Sequence, residues 1–160
     1  MYKKTNSILI SILIILILSL FAAFFIEYQL GHKPCKLCIY QRIPYIISIL
    51  IIMNFVFMKK YQKISLLFLS LISLVGAILS FYHFGIEQGF FSESFVCEAK
   101  NIQGNLTKED ILQQLKNNTV SCKEVTFTIF GASLASLNTI FSFVLFCIFV
   151  SLYKNYEINK

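Results

Sequence analysis

Residues Ile8 to Ile26, ILISILIILILSLFAAFFI, form 19 consecutive positions without a charge. Few folds accept such a run. In lipid, a helix satisfies every backbone N–H and C=O inside the segment. About 20 mostly apolar residues cross the hydrocarbon core. A signal-peptide core is shorter, about 7–15 residues, and ends in a small-residue cleavage site. None follows here, so a retained span is expected. Further apolar runs cover 43–58, 64–84 and 127–153. The chain as a whole is 57% hydrophobic and 14% charged, with mean hydropathy +0.72. Soluble domains carry about 25% charge, so this is a membrane protein by composition.

The expected fold class is all-α: one integral membrane domain over 1–160, a bundle of four transmembrane helices. Its spans are joined by a short loop at 27–42, a tight turn at 59–63 and a long segment at 85–126. An even number of spans puts both termini on one side. Lys3, Lys4, Lys59, Lys60, Lys63, Lys154 and Lys160 supply seven of the 14 basic residues, all on the termini and the turn. Lys33, Lys36 and Arg42 oppose this from the short loop, but the turn is the denser signal. Positive residues mark cytoplasmic segments. Termini and turn are therefore expected inside, and both loops outside. The net charge of +6 reflects this bias; no nucleic-acid partner is expected. The 17 phenylalanines read as lipid-facing bulk. Tyr28, Tyr40, Tyr45 and Tyr153 read as interfacial anchors. Within the long loop, TKEDILQQLKNN at 107–118 has the pattern of a short amphipathic helix. Thr107 and Asp110 stand at capping-box-like positions, and Ile111, Leu112 and Leu115 form its apolar side.

That topology sorts the five cysteines. Cys35, Cys38, Cys97 and Cys122 fall in the two outer loops; Cys147 falls inside a span, where a structural role is expected. Four cysteines facing an oxidising compartment suggest two disulfides, with three connectivities open. Cys35 and Cys38 have the spacing of thiol oxidoreductases. A bridge that short constrains little unfolded chain and adds little stability, so redox chemistry explains it better than a static link. Cys97 and Cys122 would close a loop around the amphipathic segment. Zinc is disfavoured and no metal is expected: there is one Cys-x-x-Cys knuckle, and neither His32 nor His83 is spaced to make a second.

Arg42 follows the pair in PCKLCIYQR. If the second helix begins near Cys38, then Cys38 and Arg42 are one turn apart on one face. A thiol at a helix N-terminus beside a guanidinium has a lowered pKa. A charge at the lipid boundary is costly and commonly functional. Pro44 leaves two starts open for this helix, before the proline with a kink or at the proline itself. A dithiol at the lipid boundary needs a destination for two electrons. A carrier dissolved in lipid, a quinone, meets that need, and no haem, flavin or nicotinamide fingerprint is present.

PCKLCIYQR at 34–42, with YHFGIEQG at 82–89, Cys97, Cys122 and FGASLASLN at 130–138, resembles the bacterial disulfide bond formation protein B (DsbB) family. The resemblance runs along nearly the whole chain. It implies an inner-membrane thiol:quinone oxidoreductase that reoxidises a periplasmic, thioredoxin-fold oxidase of the DsbA type. By that resemblance the catalytic residues are Cys35, Cys38, Cys97 and Cys122. Cys97 would take the partner in a mixed disulfide, Cys122 would attack Cys35, and Cys38 would face the quinone. Arg42 and His83 are the expected quinone-binding residues, Glu87 a weaker candidate, and ubiquinone rather than menaquinone the expected form. The chain lacks the tryptophans common near the family's last motif. A vitamin K epoxide reductase-like enzyme is the alternative, although its Cys-x-x-Cys follows the loop pair instead of preceding it. A DsbB paralogue dedicated to one client is another. A structural membrane protein with two static disulfides is the non-enzymatic alternative.

Overall fold

The computed structural model describes residues 2–57, 62–92, 121–123, 128–129 and 131–158. Four helices dominate: α1 (Tyr2–Tyr28), α2 (Lys36–Phe57), α3 (Gln62–Glu87) and α4 (Leu134–Ile158). All four are long and apolar enough to cross a membrane. The protein is a four-helix membrane bundle. Cys97 and the helix expected over 107–118 lie outside the described residues.

Each helix buries a narrow stripe and exposes large apolar side chains elsewhere. On α2 the buried positions are Leu37, Gln41, Pro44, Ser48, Ile52 and Phe55, the three-and-four spacing of one helical face. On α1 the buried side chains are Leu9, Ile12 and Leu16, whereas Phe21 is 69% and Leu18 60% exposed. Such exposure is costly in water and costs nothing in lipid. Leu9, Leu16, Ile52, Phe55, Leu66, Leu69, Leu145 and Phe149 make one apolar core.

Small residues on α3 let its neighbours approach, as is common between helices in lipid. Ser70, Ser73, Gly76, Ala77 and Ser80 are all buried. A Cβ added at Gly76 would lie 3.4 Å from Pro44 Cβ and 3.7 Å from Ser142 Oγ. Pro44 thus sits inside α2, at its close approach to α3.

The helix ends explain where the apolar runs misplace the boundaries. The second helix starts at Lys36, not at 43. The last starts at Leu134, not at 127. Before it lies a two-stranded hairpin, β1 (Thr128–Ile129) against β2 (Ala132–Ser133), with Thr128 opposite Ser133. Ser133 then caps α4: the Ser136 N–H donates to Ser133 Oγ at 3.1 Å, as an N-cap serine should receive. The third helix ends in a Schellman turn at Gly89 (φ 76°), where Phe90 N–H donates to Gly85 O (2.8 Å) and Gly89 N–H to Ile86 O (3.0 Å).

Candidate functional site

Cys35 immediately precedes α2, and its side chain acts as the helix cap. The Cys38 N–H donates to Cys35 Sγ at 3.2 Å, while Ile39 N–H donates to Cys35 O at 3.3 Å. A sulfur thus occupies the place usually held by a serine or aspartate oxygen. Negative charge there meets the positive end of the helix dipole. This corrects the expectation drawn from sequence. The helix starts earlier than the apolar run, so the terminal position belongs to Cys35, and Cys38 lies inside the first turn.

Cys35, Cys38 and Cys147 are free thiols, and Cys122 is disulfide-bonded. The Cys35 and Cys38 sulfurs are 2.7 Å apart, within reach of closing. His83 Nε2 stands 3.5 Å from Cys35 Sγ. The Cys38 thiol hydrogen bond, aided by His83, outweighs burial and brings the Cys35 pKa down to about 5 from 9.0. Cys122 is 1% exposed and shares a buried cluster with Cys35, Leu37 and Ile86. The fold therefore brings three of the four expected catalytic cysteines to one end of the bundle. Cys147 is exposed on α4 rather than packed in the core.

His83 is 3% exposed, held between α2 and α3. Gln41 Nε2 donates to its Nδ1 at 3.0 Å. Glu87 Oε1 stands 3.8 Å from Nε2, and Glu87 Oε2 has no hydrogen-bond partner among the described residues. The sulfurs of Cys35 and Cys38 and a ring nitrogen of His83 lie within 4.8 Å of one another. Sequence spacing hides this set, because the histidine comes from another helix.

Arg42 lies one turn after Cys38 on α2 and lines the same cavity. Its Nη1 donates to Glu27 Oε2 at 2.6 Å, and its guanidinium stacks over the Phe24 ring, 4.8 Å from the centroid. Glu27, at the end of α1, is a partner that no local spacing picks out. Tyr45 is likewise no interfacial anchor: its hydroxyl hydrogen-bonds Asn138 Oδ1 and Ser142 Oγ within the bundle. Asn138 was also unforeseen. Its Nδ2 donates to Gln41 Oε1 and to Ser80 Oγ, both at 2.8 Å.

These groups surround a cavity of about 320 Å³, the lower end of the range for small-molecule sites. Cys38, Arg42, His83 and Glu87 supply its polar side; Leu20, Ala23 and Ile26 of α1 and Leu134, Leu137 and Phe141 of α4 supply apolar walls. The arrangement can hold a flat apolar molecule with a polar head beside a dithiol.

Comparison with known proteins agrees with this geometry. The chain is 31% identical over 146 residues to Uncharacterized protein RP370 of Rickettsia prowazekii (strain Madrid E), covering 90% of this chain and 83% of that one. Residues 5–152 match the family of disulfide bond formation protein DsbB. A four-helix membrane bundle with a Cys-x-x-Cys at one end and that match over nearly its full length belongs to the DsbB family of disulfide bond formation proteins.

Proposed function

We propose that this protein is a thiol:quinone oxidoreductase that reoxidises a periplasmic DsbA-type oxidase and passes the electrons to membrane quinone. The observation that carries this reading is the burial of Cys122 in one cluster with Cys35. A thiol released at Cys122 would already lie beside the sulfur it must attack. The chain forms one integral membrane domain over 1–160, in the bacterial inner membrane, with termini cytoplasmic and the cysteine loops periplasmic.

The relay starts at a Cys97–Cys122 disulfide. The partner's thiolate attacks Cys97, the S–S bond breaks, and Cys122 leaves as a thiolate. The partner's second thiol displaces Cys97 and closes the partner's own disulfide, so two electrons enter this chain. Cys122 then attacks Cys35 of an oxidised Cys35–Cys38 pair and expels Cys38 as a thiolate. Cys97 resolves the Cys35–Cys122 link. The long-loop bridge re-forms, and Cys35 and Cys38 are left reduced, 2.7 Å apart as seen here.

The cavity fits a quinone head: polar groups converge on one side and apolar walls face the other. Cys35 and Cys38 would hold a quinone, expected to be ubiquinone, beside their sulfurs; it would supply a two-electron, two-proton acceptor as the pair closes to a disulfide. Cys38 lines the cavity and Arg42 offers it a guanidinium. The Glu87 oxygen that has no hydrogen-bond partner among the described residues is the acceptor for protons released from the thiols. A −120 mV oxidase is a strong oxidant, and a structural disulfide could not reoxidise it downhill. A quinone sink can.

The test is a trap. A reduced DsbA-type oxidase that keeps only its attacking cysteine can open the Cys97–Cys122 disulfide but cannot close its own, so it should accumulate as a mixed disulfide on Cys97. A partner mapped to Cys35 or Cys38, or no trapped species, contradicts this order of events.

A further inference from the structure

The polar chain behind His83 is ordered by a backbone carbonyl. Gly76 O can only accept, and Ser80 Oγ donates to it at 2.8 Å. With its proton committed, Ser80 Oγ accepts from Asn138 Nδ2 at 2.8 Å. The Asn138 amide is therefore turned with its NH2 towards α3 and its oxygen towards the Tyr45 hydroxyl. The other Asn138 N–H donates to Gln41 Oε1 at 2.8 Å. Gln41, so oriented, must present its own NH2 to His83 Nδ1, 3.0 Å away. A nitrogen that accepts a hydrogen bond carries no proton. Nδ1 is then bare, the ring proton sits on Nε2, and Nε2 faces Cys35 Sγ at 3.5 Å.

We propose that Gln41, oriented by Asn138, is a positioning residue that fixes His83 as its Nε2–H tautomer, so that the ring donates to Cys35 and makes Cys35 the thiolate of the pair. This deepens the proposed function, resting on the reading that Cys35 and Cys38 are its redox pair. None of Gln41, Ser80, Asn138 and Tyr45 is needed for the relay itself, yet together they choose which ring nitrogen faces sulfur. A half-satisfied buried polar chain is expensive, which holds every amide in one orientation. The lowered pKa of Cys35 agrees with a donor at Nε2.

Other charged and titratable groups face the same place. Cys38 adjoins from α2 and Glu87 from α3, and the Cys122 carbonyl accepts from the ring, so on this tautomer it shares the Nε2 proton with Cys35. His32 and Lys33 line the cavity beyond, and Arg42 there is paired with Glu27. The Glu87 carboxylate opposes negative charge on the nearby sulfurs, so a donor from His83 matters more.

The experiment uses the full chain, reduced, in lipid nanodiscs, with 15N-labelled histidine. Two-bond 15N–1H correlations tell a bare ring nitrogen from a protonated one, and a His32→Gln variant assigns the two histidines. The wild-type ring of His83 should show a bare Nδ1 and a protonated Nε2. Gln41→Leu and Asn138→Leu should lose that fixed tautomer. In both, the pH midpoint of Cys35 alkylation should rise by about one unit, a tenfold loss of thiolate in acid. Tryptic cleavage after Lys36 puts Cys35 and Cys38 on different peptides, so each is read separately by mass. Thr139→Ala, one residue along α4 and bonded through its hydroxyl to Ala135 O, should change neither readout. A wild-type ring protonated on Nδ1 overturns the proposal without any variant. So do Leu variants that keep both the tautomer and the midpoint. Neither readout uses quinone. A protein with the stated tautomer that reduces no quinone contradicts the proposed function alone. A quinone-active protein protonated on Nδ1 contradicts this assignment alone.

Discussion

Cys35 is an N-cap, a neighbour of a histidine and half of a dithiol at once, and each role favours its thiolate. Its alkylation in the reduced protein should therefore follow a midpoint near its pKa of about 5, not 9.0. The sign follows from the charged form being the favoured one: above the midpoint Cys35 reacts, and reactivity falls as pH drops through it. A midpoint near 9.0, measured by iodoacetamide labelling and mass spectrometry, would remove the basis for a preformed thiolate. Arg42 makes a second prediction. Losing a charge-assisted hydrogen bond costs about 1.5–3 kcal/mol, so Arg42→Ala should raise the KM for quinone about 10–150-fold. Arg42→Lys should recover part, since lysine keeps the charge but not the planar fork. Glu27→Gln separates the two uses of the guanidinium. It breaks the ion pair yet leaves Arg42 to the cavity, so KM should not rise. A normal KM in Arg42→Ala would reduce Arg42 to a structural partner of Glu27. The Cys-x-x-Cys and Arg42 were legible because their spacing is local. The meeting of His83 with Cys35, 48 positions apart, was not. Gln41 and Asn138 were illegible for a related reason: a single amide in an apolar run does not say what it faces.

At the scale of elements, the spans were legible and their ends were not. Apolar runs mark where lipid begins; helices end where backbone groups find caps. Thus α2 starts at Lys36 because Cys35 caps it, and the proline that made this start ambiguous is carried inside the helix against Gly76. Gly76→Leu should force α2 from α3 and lower stability by about 1–3 kcal/mol, the usual cost of overpacking, read as a lower thermal midpoint in detergent. Gly76→Ala adds only an ordinary contact and should cost far less. If both variants melt with the wild type, the close approach of Pro44 and Gly76 is not a packing constraint. Ser133→Ala removes the cap of α4 and should cost about 1 kcal/mol. An unchanged midpoint would show that the hairpin β1–β2 alone fixes the start of α4.

At the scale of the molecule, the bundle divides its labour along its length. An apolar core around Leu16, Ile52, Leu69 and Phe149 holds the helices together. The polar cluster lies at the end where α2 begins and α3 finishes. If that end is periplasmic, both soluble thiols and lipid-dissolved quinone can reach it. Orientation has its own test: a reporter fused to either terminus should be active only in the cytoplasm. Composition made this architecture readable from sequence, because four charge-poor runs in a chain with 14% charged residues have one solution in lipid. The arrangement of the cavity was not readable, since it depends on which face each helix turns inward. The central claim is that electrons taken from a protein dithiol leave as quinol through Cys35 and Cys38. Anaerobic mixing of the full chain, a reduced DsbA-type oxidase and ubiquinone in nanodiscs tests it most directly, with quinone loss followed by ultraviolet absorbance. The account predicts one quinone consumed for each partner disulfide formed, and no consumption in Cys38→Ser. Partner oxidation without quinone loss, or quinone loss undiminished in Cys38→Ser, would contradict it.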